Sequence, residues 1–244
     1  MKINAEQLAL LDSYSTNSYV SELVKHCKSI FPFIYDSLHE KKLRAHIAKL
    51  IENAGRSKVT QRGPLQLYFD MAVTLGSEFE TDPMYTDFSF KPDQFPSGNQ
   101  LDISLSIHKK FSTYIENVIG GDSKYAKDFL GRLETENFSS IHEINFTDRM
   151  HKLLCDIYPQ KCECLGREKI NKLIDLGTKR FKHDNPSPKM QASYIMLMFV
   201  IGHGFEKDLF HLNDNIFNSN NYDDAFYILK SKGFIVRFIK VLVF

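Results

Sequence analysis

Apolar residues recur along most of this chain with the period of an α-helix. In "LRAHIAKLIENAG" (43–55), Leu43, Ile47 and Leu50 fall on one face, together with Ile51 and Ala54. "REKINKLIDLGTKRF" (167–181) repeats the pattern less regularly. The pattern predicts an all-α protein with four or five helices in each half and little or no sheet.

One segment is apolar on every side. The run "YIMLMFVI" (194–201) contains no charged residue, so we expect a central helix that is buried all round. Ser187 and Pro188 precede it as an N-cap and a first-turn proline. Gly63 and Pro64 stand in the same relation to the related segment of the first half. Both pairs predict helix starts.

The chain contains the same phrase twice. "LGSEFETD" (75–82) aligns without a gap with "IGHGFEKD" (201–208), and the identity extends back to Tyr68 and Tyr194. Three further blocks match in the same order, with insertions between them where loops are expected. We therefore predict a tandem duplication, with residues 15–137 as the first helical repeat and 138–244 as the second, packed together.

The repeated phrase predicts a structural corner. A glycine at the end of a buried helix can take the left-handed conformation that terminates it, and the phenylalanine three residues later can fold back over the last turn. An aspartate then starts the next turn. The corner residues are Gly76, Phe79 and Asp82 in the first copy and Gly202, Phe205 and Asp208 in the second.

The second copy also offers an alternative site for chemistry. His203, Glu206, Asp208 and His211 cluster in "GHGFEKDLFH", and imidazoles and carboxylates together can bind a metal or transfer protons. No recognised metal, nucleophile or phosphate-binding motif accompanies them. An enzyme or toxin with a site near His203 and Asp208 is thus the alternative function.

Four residues form a second candidate cluster, for zinc. His151 and Cys155 are one helical turn apart, and Cys162 and Cys164 follow as Cys-x-Cys. The usual knuckle is Cys-x-x-Cys, so we expect no metal and no cofactor, and hold this set as the alternative. The cysteines fit a reducing compartment and do not indicate a disulfide framework in a chain of this length.

The long connection at 78–102 is the candidate binding surface. It is rich in acidic and aromatic residues, and exposed aromatics are typical anchors of protein interfaces. We predict partner binding by Glu78, Glu80, Tyr85, Asp87, Phe88, Phe90, Asp93 and Phe95. The alternative, left open by the sequence, is that the aromatic rings pin the loop onto the helices.

The net charge and the lengths of the apolar stretches argue against two kinds of partner, nucleic acids and membranes. Thirty-one Lys and Arg balance 30 Asp and Glu, a formal charge of +1, which does not favour nucleic-acid binding. The stretch "ASYIMLMFVIG" is too short to span a bilayer, and no signal peptide is recognisable, so a cytoplasmic location is expected.

The last segment, "GFIVRFIKVLVF", is expected to be a core element with Arg237 and Lys240 facing outward. The alternative is an amphipathic helix that binds a membrane or a partner.

The repeated phrase also carries a resemblance. "IGHGFEKDL" (201–209) and "LGSEFETDP" (75–83) resemble the Leu-Gly-x-Gly-Phe-x-x-Asp-Pro phrase of an uncharacterised bacterial helical family, whose genes lie beside type VI secretion spike and effector genes. The resemblance implies a secretion-associated accessory protein and supplies no catalytic residues. The expected function is non-catalytic binding of another protein, a secreted effector or secretion component, as an immunity protein or effector-loading chaperone. The oligomeric state stays open.

Overall fold

The structure is a computed structural model that describes residues 5–90, 99–182, 187–211 and 223–243. Throughout these ranges the regular structure is helical and no strand occurs, which confirms the all-α prediction. The α-helices are α1 Ala5–Ile30, α2 Pro32–Arg56, α3 Arg62–Leu75, α4 Gln100–Val118, α5 Lys124–Thr135, α6 Phe146–Ile157, α7 Pro159–Leu165, α8 Arg167–Arg180, α9 Pro188–Ile201 and α10 Asp224–Val243. Short 3₁₀ turns lie at Phe79–Thr81, Thr86–Phe88, Gly121–Ser123 and Phe205–Lys207.

The chain divides into two compact units. The first comprises residues 1–70 and 90–104, and the second comprises residues 71–89 and 105–244. These units differ from the two halves drawn from the sequence, because α3 and α4 each contribute residues to both units. The tandem duplication therefore stays a prediction.

The first unit contains α1, α2 and the beginnings of α3 and α4. Leu43, Ile47 and Leu50 are buried, as the helical periodicity predicts. His26 on α1 pairs with Asp70 on α3, Nε2 to Oδ1, at 2.6 Å. The helix α3 begins at Arg62, so the glycine and proline predicted to open it lie inside its first turn.

The second unit is organised around α9. Ser187 caps this helix by accepting a hydrogen bond from the Met190 N–H at 3.1 Å, and every residue from Ala192 to Ile201 is buried. The helices α6, α8 and α10 pack against it. The apolar run thus forms the buried central helix that the sequence predicts.

The last helix, α10, is a core element. Phe234, Ile235 and Phe238 are buried, whereas Arg237 and Lys240 are exposed, as expected for a terminal helix that packs on one side. Among the helices of the described residues, none combines the length and the apolar character needed to cross a membrane.

Candidate functional site: two paired corners

The two copies of the phrase follow the same backbone path. After α3, Gly76 has φ +97°, and after α9, Gly202 has φ +121°. A 3₁₀ turn then begins three residues after each glycine, and the rings of Phe79 and Phe205 are buried over it. Each phrase is therefore a corner that ends a helix, as the glycine and phenylalanine spacing predicts.

The two corners touch through their glycines. A Cβ placed on Gly76 would lie 2.6 Å from the Ile201 carbonyl oxygen, and one on Gly202 would lie 2.6 Å from the Leu75 carbonyl oxygen. Both glycines also have positive φ, which side chains disfavour. Only glycine fits at either position, for steric and for conformational reasons.

Asp82 of the first corner bonds to the second. Its Oδ2 accepts a hydrogen bond from the backbone N–H of His203 at 2.6 Å, and its Oδ1 accepts from the N–H of Met84 at 2.8 Å. Asp82 is 1% exposed, so its charge is compensated by these donors and not by water.

Asp208 of the second corner repeats the arrangement in reverse. Its Oδ2 accepts from the backbone N–H of Ser77 at 2.6 Å, and its Oδ1 accepts from the N–H groups of Phe210 and His211 at 2.9 Å each. Each aspartate thus holds the residue that follows the glycine of the other corner. We call Asp82, Asp208 and these two cross-corner bonds the aspartate clasp.

The two histidines of the alternative catalytic cluster have different hydrogen-bond partners. His203 is buried, with its Nδ1 3.2 Å from Asp82 Oδ2 and its Nε2 3.2 Å from Thr81 Oγ1. His211 donates from Nε2 to the Val73 carbonyl oxygen at 2.9 Å. His203 therefore pairs with Asp82, which is not a member of the cluster that the sequence offers.

A buried lysine lies near the clasp. Lys161 on α7 donates to the Val200 carbonyl oxygen at 3.3 Å, and its Nζ lies 5.1 Å from the centre of the Phe199 ring and 5.6 Å from that of Tyr85. Burial lowers the pKa of Lys161 to about 7, and the charge of Asp82 opposes this fall. The cavity beside it measures about 20 Å³, room for about one water and no larger substrate.

The prediction that aromatic residues of the 78–102 connection form an exposed surface is wrong for three of the rings that the structure describes there. Tyr85, Phe88 and Phe90 are buried, 2%, 6% and 3% exposed. Tyr85 and Phe88 pack edge-on against Tyr114 of α4, at ring-centre distances of 5.9 Å and 5.6 Å. The rings pin the chain, as the alternative holds, because burying an aromatic side chain is more favourable than leaving it in water.

The other predicted binding residues divide into two groups. The side chains of Glu78 and Asp87 are 44% and 65% exposed, and Glu80 is partly exposed. Asp87 pairs with Lys169, beside a hollow of about 500 Å³. Asp93 and Phe95 lie outside the described residues.

The sequence does not indicate a disulfide framework, but the structure pairs two of the four cysteines. Cys155 and Cys162 form a disulfide, so two members of the candidate zinc set are bonded to each other. Cys27 is buried and Cys164 is exposed, both as free thiols. Within the described residues, no group of three or more His, Cys, Asp and Glu side chains is placed to hold a metal ion.

Comparison with known proteins gives no match of any kind. No protein-family model matches the chain, and neither a curated protein nor a solved structure is significantly similar to it. Function must therefore be inferred from the chemistry of the described side chains.

Proposed function

We propose that the chain is a non-catalytic protein-binding module. The observation that supports this most is the aspartate clasp, in which the Asp82 and Asp208 carboxylates are buried and accept hydrogen bonds from backbone N–H groups, while the buried His211 donates to a backbone carbonyl oxygen. Such bonds fix the two corners against each other. A rigid scaffold of this kind suits a protein that presents a preformed surface.

The proposed binding surface is the acidic outer side of the paired corners. Glu78 and Glu206 are exposed and Glu80 is partly exposed, beside one exposed lysine, Lys207, while the aromatic residues of the same segments are buried. Glu80 and Glu206 hold equivalent positions in the two corners. Acidic groups at a rim steer a basic partner and set the salt dependence of association. The partner is therefore a protein with a basic patch.

The proposed partner is a secreted effector or a component of a type VI secretion apparatus. This rests on the resemblance of the two corner phrases to the secretion-associated family, and on the absence of any recognised catalytic motif. The chain would act in the cytoplasm as an immunity protein or as an effector-loading chaperone. We also propose that its halves, 15–137 and 138–244, arose by duplication, which the shared backbone path of the corners supports.

The experiment is affinity capture of the tagged full-length chain from its native host, read by quantitative mass spectrometry. The test variant replaces Glu78, Glu80 and Glu206 with Gln, which removes three charges and keeps the side-chain shape. The control replaces three exposed glutamates elsewhere, Glu116, Glu134 and Glu143, and changes the net charge equally.

We expect one protein at a stoichiometric level with the wild type and the control, and at least about tenfold less of it with the test variant. Equal recovery with both variants would remove the acidic surface from the proposal. Recovery of the chain alone under several growth conditions would contradict the binding function itself.

One observation favours the alternative, an enzyme or toxin. The His203 imidazole has Thr81 Oγ1 3.2 Å from its Nε2 and the Asp82 carboxylate 3.2 Å from its Nδ1, and a hydroxyl, an imidazole and a carboxylate in this order can activate a nucleophile. The Thr81 hydroxyl, however, donates to the Glu78 carbonyl oxygen at 3.1 Å. An activated hydroxyl would instead point at the imidazole.

Induced expression in a heterologous host discriminates the two functions. A toxin should arrest growth, and Thr81→Ala should relieve the arrest while Thr135→Ala, another exposed threonine, should not. Growth that is unchanged by the wild-type chain is the result expected of a binding module.

A further inference from the structure

The disulfide lies at a turn between two helices and joins two residues of unequal exposure. Cys155 belongs to α6 and Cys162 to α7, seven residues apart. Cys155 is partly exposed, whereas Cys162 is buried. A thiol from solvent can therefore reach the sulfur of Cys155 more easily than that of Cys162.

An oriented imidazole lies beside the accessible sulfur. His151 precedes Cys155 by one helical turn, and its Nε2 lies 3.6 Å from Cys155 Sγ. Its Nδ1 lies 3.1 Å from the amide oxygen of Asn171 on α8. Because that oxygen only accepts, Nδ1 carries the proton and Nε2 presents its lone pair to the sulfur.

A purely structural disulfide needs none of these features. The seven-residue separation closes a short loop, and short loops gain least from a crosslink. A nucleophile, an adjacent base and a third group that orients the base form the arrangement that activates cysteine in catalysis. All three side chains are partly exposed, so the arrangement can be reached from solvent.

We propose that Cys155 and Cys162, with His151 and Asn171, form a thiol–disulfide exchange site whose substrate is a dithiol. The proposal is independent of the acidic binding surface, and it adds an exchange activity on α6–α8 to a chain whose paired corners are non-catalytic. Cys155 is the residue that bonds to the substrate, His151 exchanges a proton with it, and Asn171 is a positioning residue that holds the imidazole.

The reaction balances with the dithiol as reductant. One substrate thiolate attacks Cys155 Sγ, the bond between Cys155 and Cys162 breaks, and Cys162 leaves as a thiolate that takes up a proton. The second substrate thiol then attacks the substrate sulfur of the mixed disulfide and releases Cys155. His151 Nε2 takes up the proton of that second thiol, and the imidazolium so formed returns it to the departing Cys155 thiolate. The substrate is oxidised to a disulfide and the cysteine pair is reduced to two thiols.

The test uses the full-length chain and dithiothreitol as the dithiol probe. The chain is purified without reductant, reduced, freed of dithiothreitol and alkylated with iodoacetamide at pH 7, and the rate at each cysteine is read by peptide mass spectrometry. Cys164 is the internal control, because it is exposed and its side-chain hydrogen bond within the described part of the chain is to Asn117, an amide, in place of a histidine. Burial raises the pKa of Cys164, which slows its alkylation.

We expect Cys155 to react at least about tenfold faster than Cys164, since the thiolate is the nucleophile. His151→Gln should lower the Cys155 rate by about tenfold and leave the Cys164 rate unchanged. Asn171→Leu should also lower the Cys155 rate, and Asn171→Asp, which keeps the acceptor oxygen, should restore it. A merely structural role of Asn171 would not produce this rescue.

Two results would overturn the proposal. One is a Cys155 rate no higher than that of Cys164 and unaffected by His151→Gln, in variants whose circular dichroism matches the wild type. The other is a chain that forms no bond between Cys155 and Cys162 on purification or on treatment with oxidised dithiothreitol.

Discussion

Replacing Asp82 with alanine removes one half of the aspartate clasp. The carboxylate accepts from the backbone N–H groups of His203 and Met84, and from Nδ1 of His203. The site is buried, so water cannot take the place of the lost oxygens. The substitution removes the acceptor of the two backbone N–H groups and of the imidazole. The imidazole can carry its proton on Nε2 instead, so the two backbone N–H groups are the ones left without acceptors.

The free-energy cost follows from those two groups. A buried donor left without an acceptor costs about 1–3 kcal/mol, so two cost about 2–6 kcal/mol, and we expect a loss near 4 kcal/mol. That loss is a large part of the total free energy of unfolding of a folded domain, which is roughly 5–15 kcal/mol. Asp82→Asn keeps one of the two oxygens and should cost about half as much.

The assay is urea-induced unfolding of the full-length chain, followed by circular dichroism and extrapolated to water. The control is Asp128→Ala, an exposed aspartate on α5, which should change the free energy of unfolding by less than about 0.5 kcal/mol. If Asp82→Ala is too unstable to purify, Asp82→Asn carries the comparison. A loss below about 1 kcal/mol with both variants would refute the clasp as a source of stability.

The remaining predictions concern the glycines and the buried lysine. Gly76→Ala should destabilise the fold by about 2 kcal/mol or more, because its Cβ meets the Ile201 carbonyl oxygen at positive φ, whereas Gly131→Ala, inside α5 with open space around it, should stabilise by about 0.5–1 kcal/mol. Thermal unfolding measures both, and equal effects would contradict the corner geometry. Burial lowers the pKa of Lys161 to about 7, so between about pH 7 and 10.4 the folded chain binds fewer protons there than the unfolded chain. The free energy of unfolding should therefore rise with pH in that window, by up to about 1.4 kcal/mol per unit, relative to Lys161→Met. A difference between the two proteins that stays constant from pH 7.5 to 9.5 would disprove the assignment.

Local signals in the sequence were sufficient for the corners and for α9. Glycine after an apolar run, phenylalanine three residues on and serine before proline each act within one or two turns, so spacing alone identifies them. The bond from Asp82 to the His203 N–H joins residues 121 positions apart, which spacing within one copy cannot show. The repeated Gly-x₅-Asp spacing was the available signal, because equivalent corners can pair reciprocally.

Other features had no such signal. Lys161 reads as a surface residue in "YPQKCEC", since lysine is rarely buried, and only the tertiary structure places it among aromatic rings. The composition of 78–102 cannot distinguish an exposed aromatic surface from a buried one, because burial depends on the helices against which Phe88 packs. His151 and Cys155 were recognised as neighbours on one helix, but the sequence does not show that Asn171 orients the imidazole or that Cys162 bonds to the sulfur.

The measurement that tests the proposed function most directly is isothermal titration of the purified captured partner with the full-length chain. The account predicts binding at a one-to-one ratio that weakens as salt rises. It also predicts at least about tenfold weaker binding when Glu78, Glu80 and Glu206 are replaced with Gln, and unchanged binding for the control with three other glutamates replaced. Absence of heat on mixing, or an affinity that neither salt nor the Gln variant changes, would contradict the account.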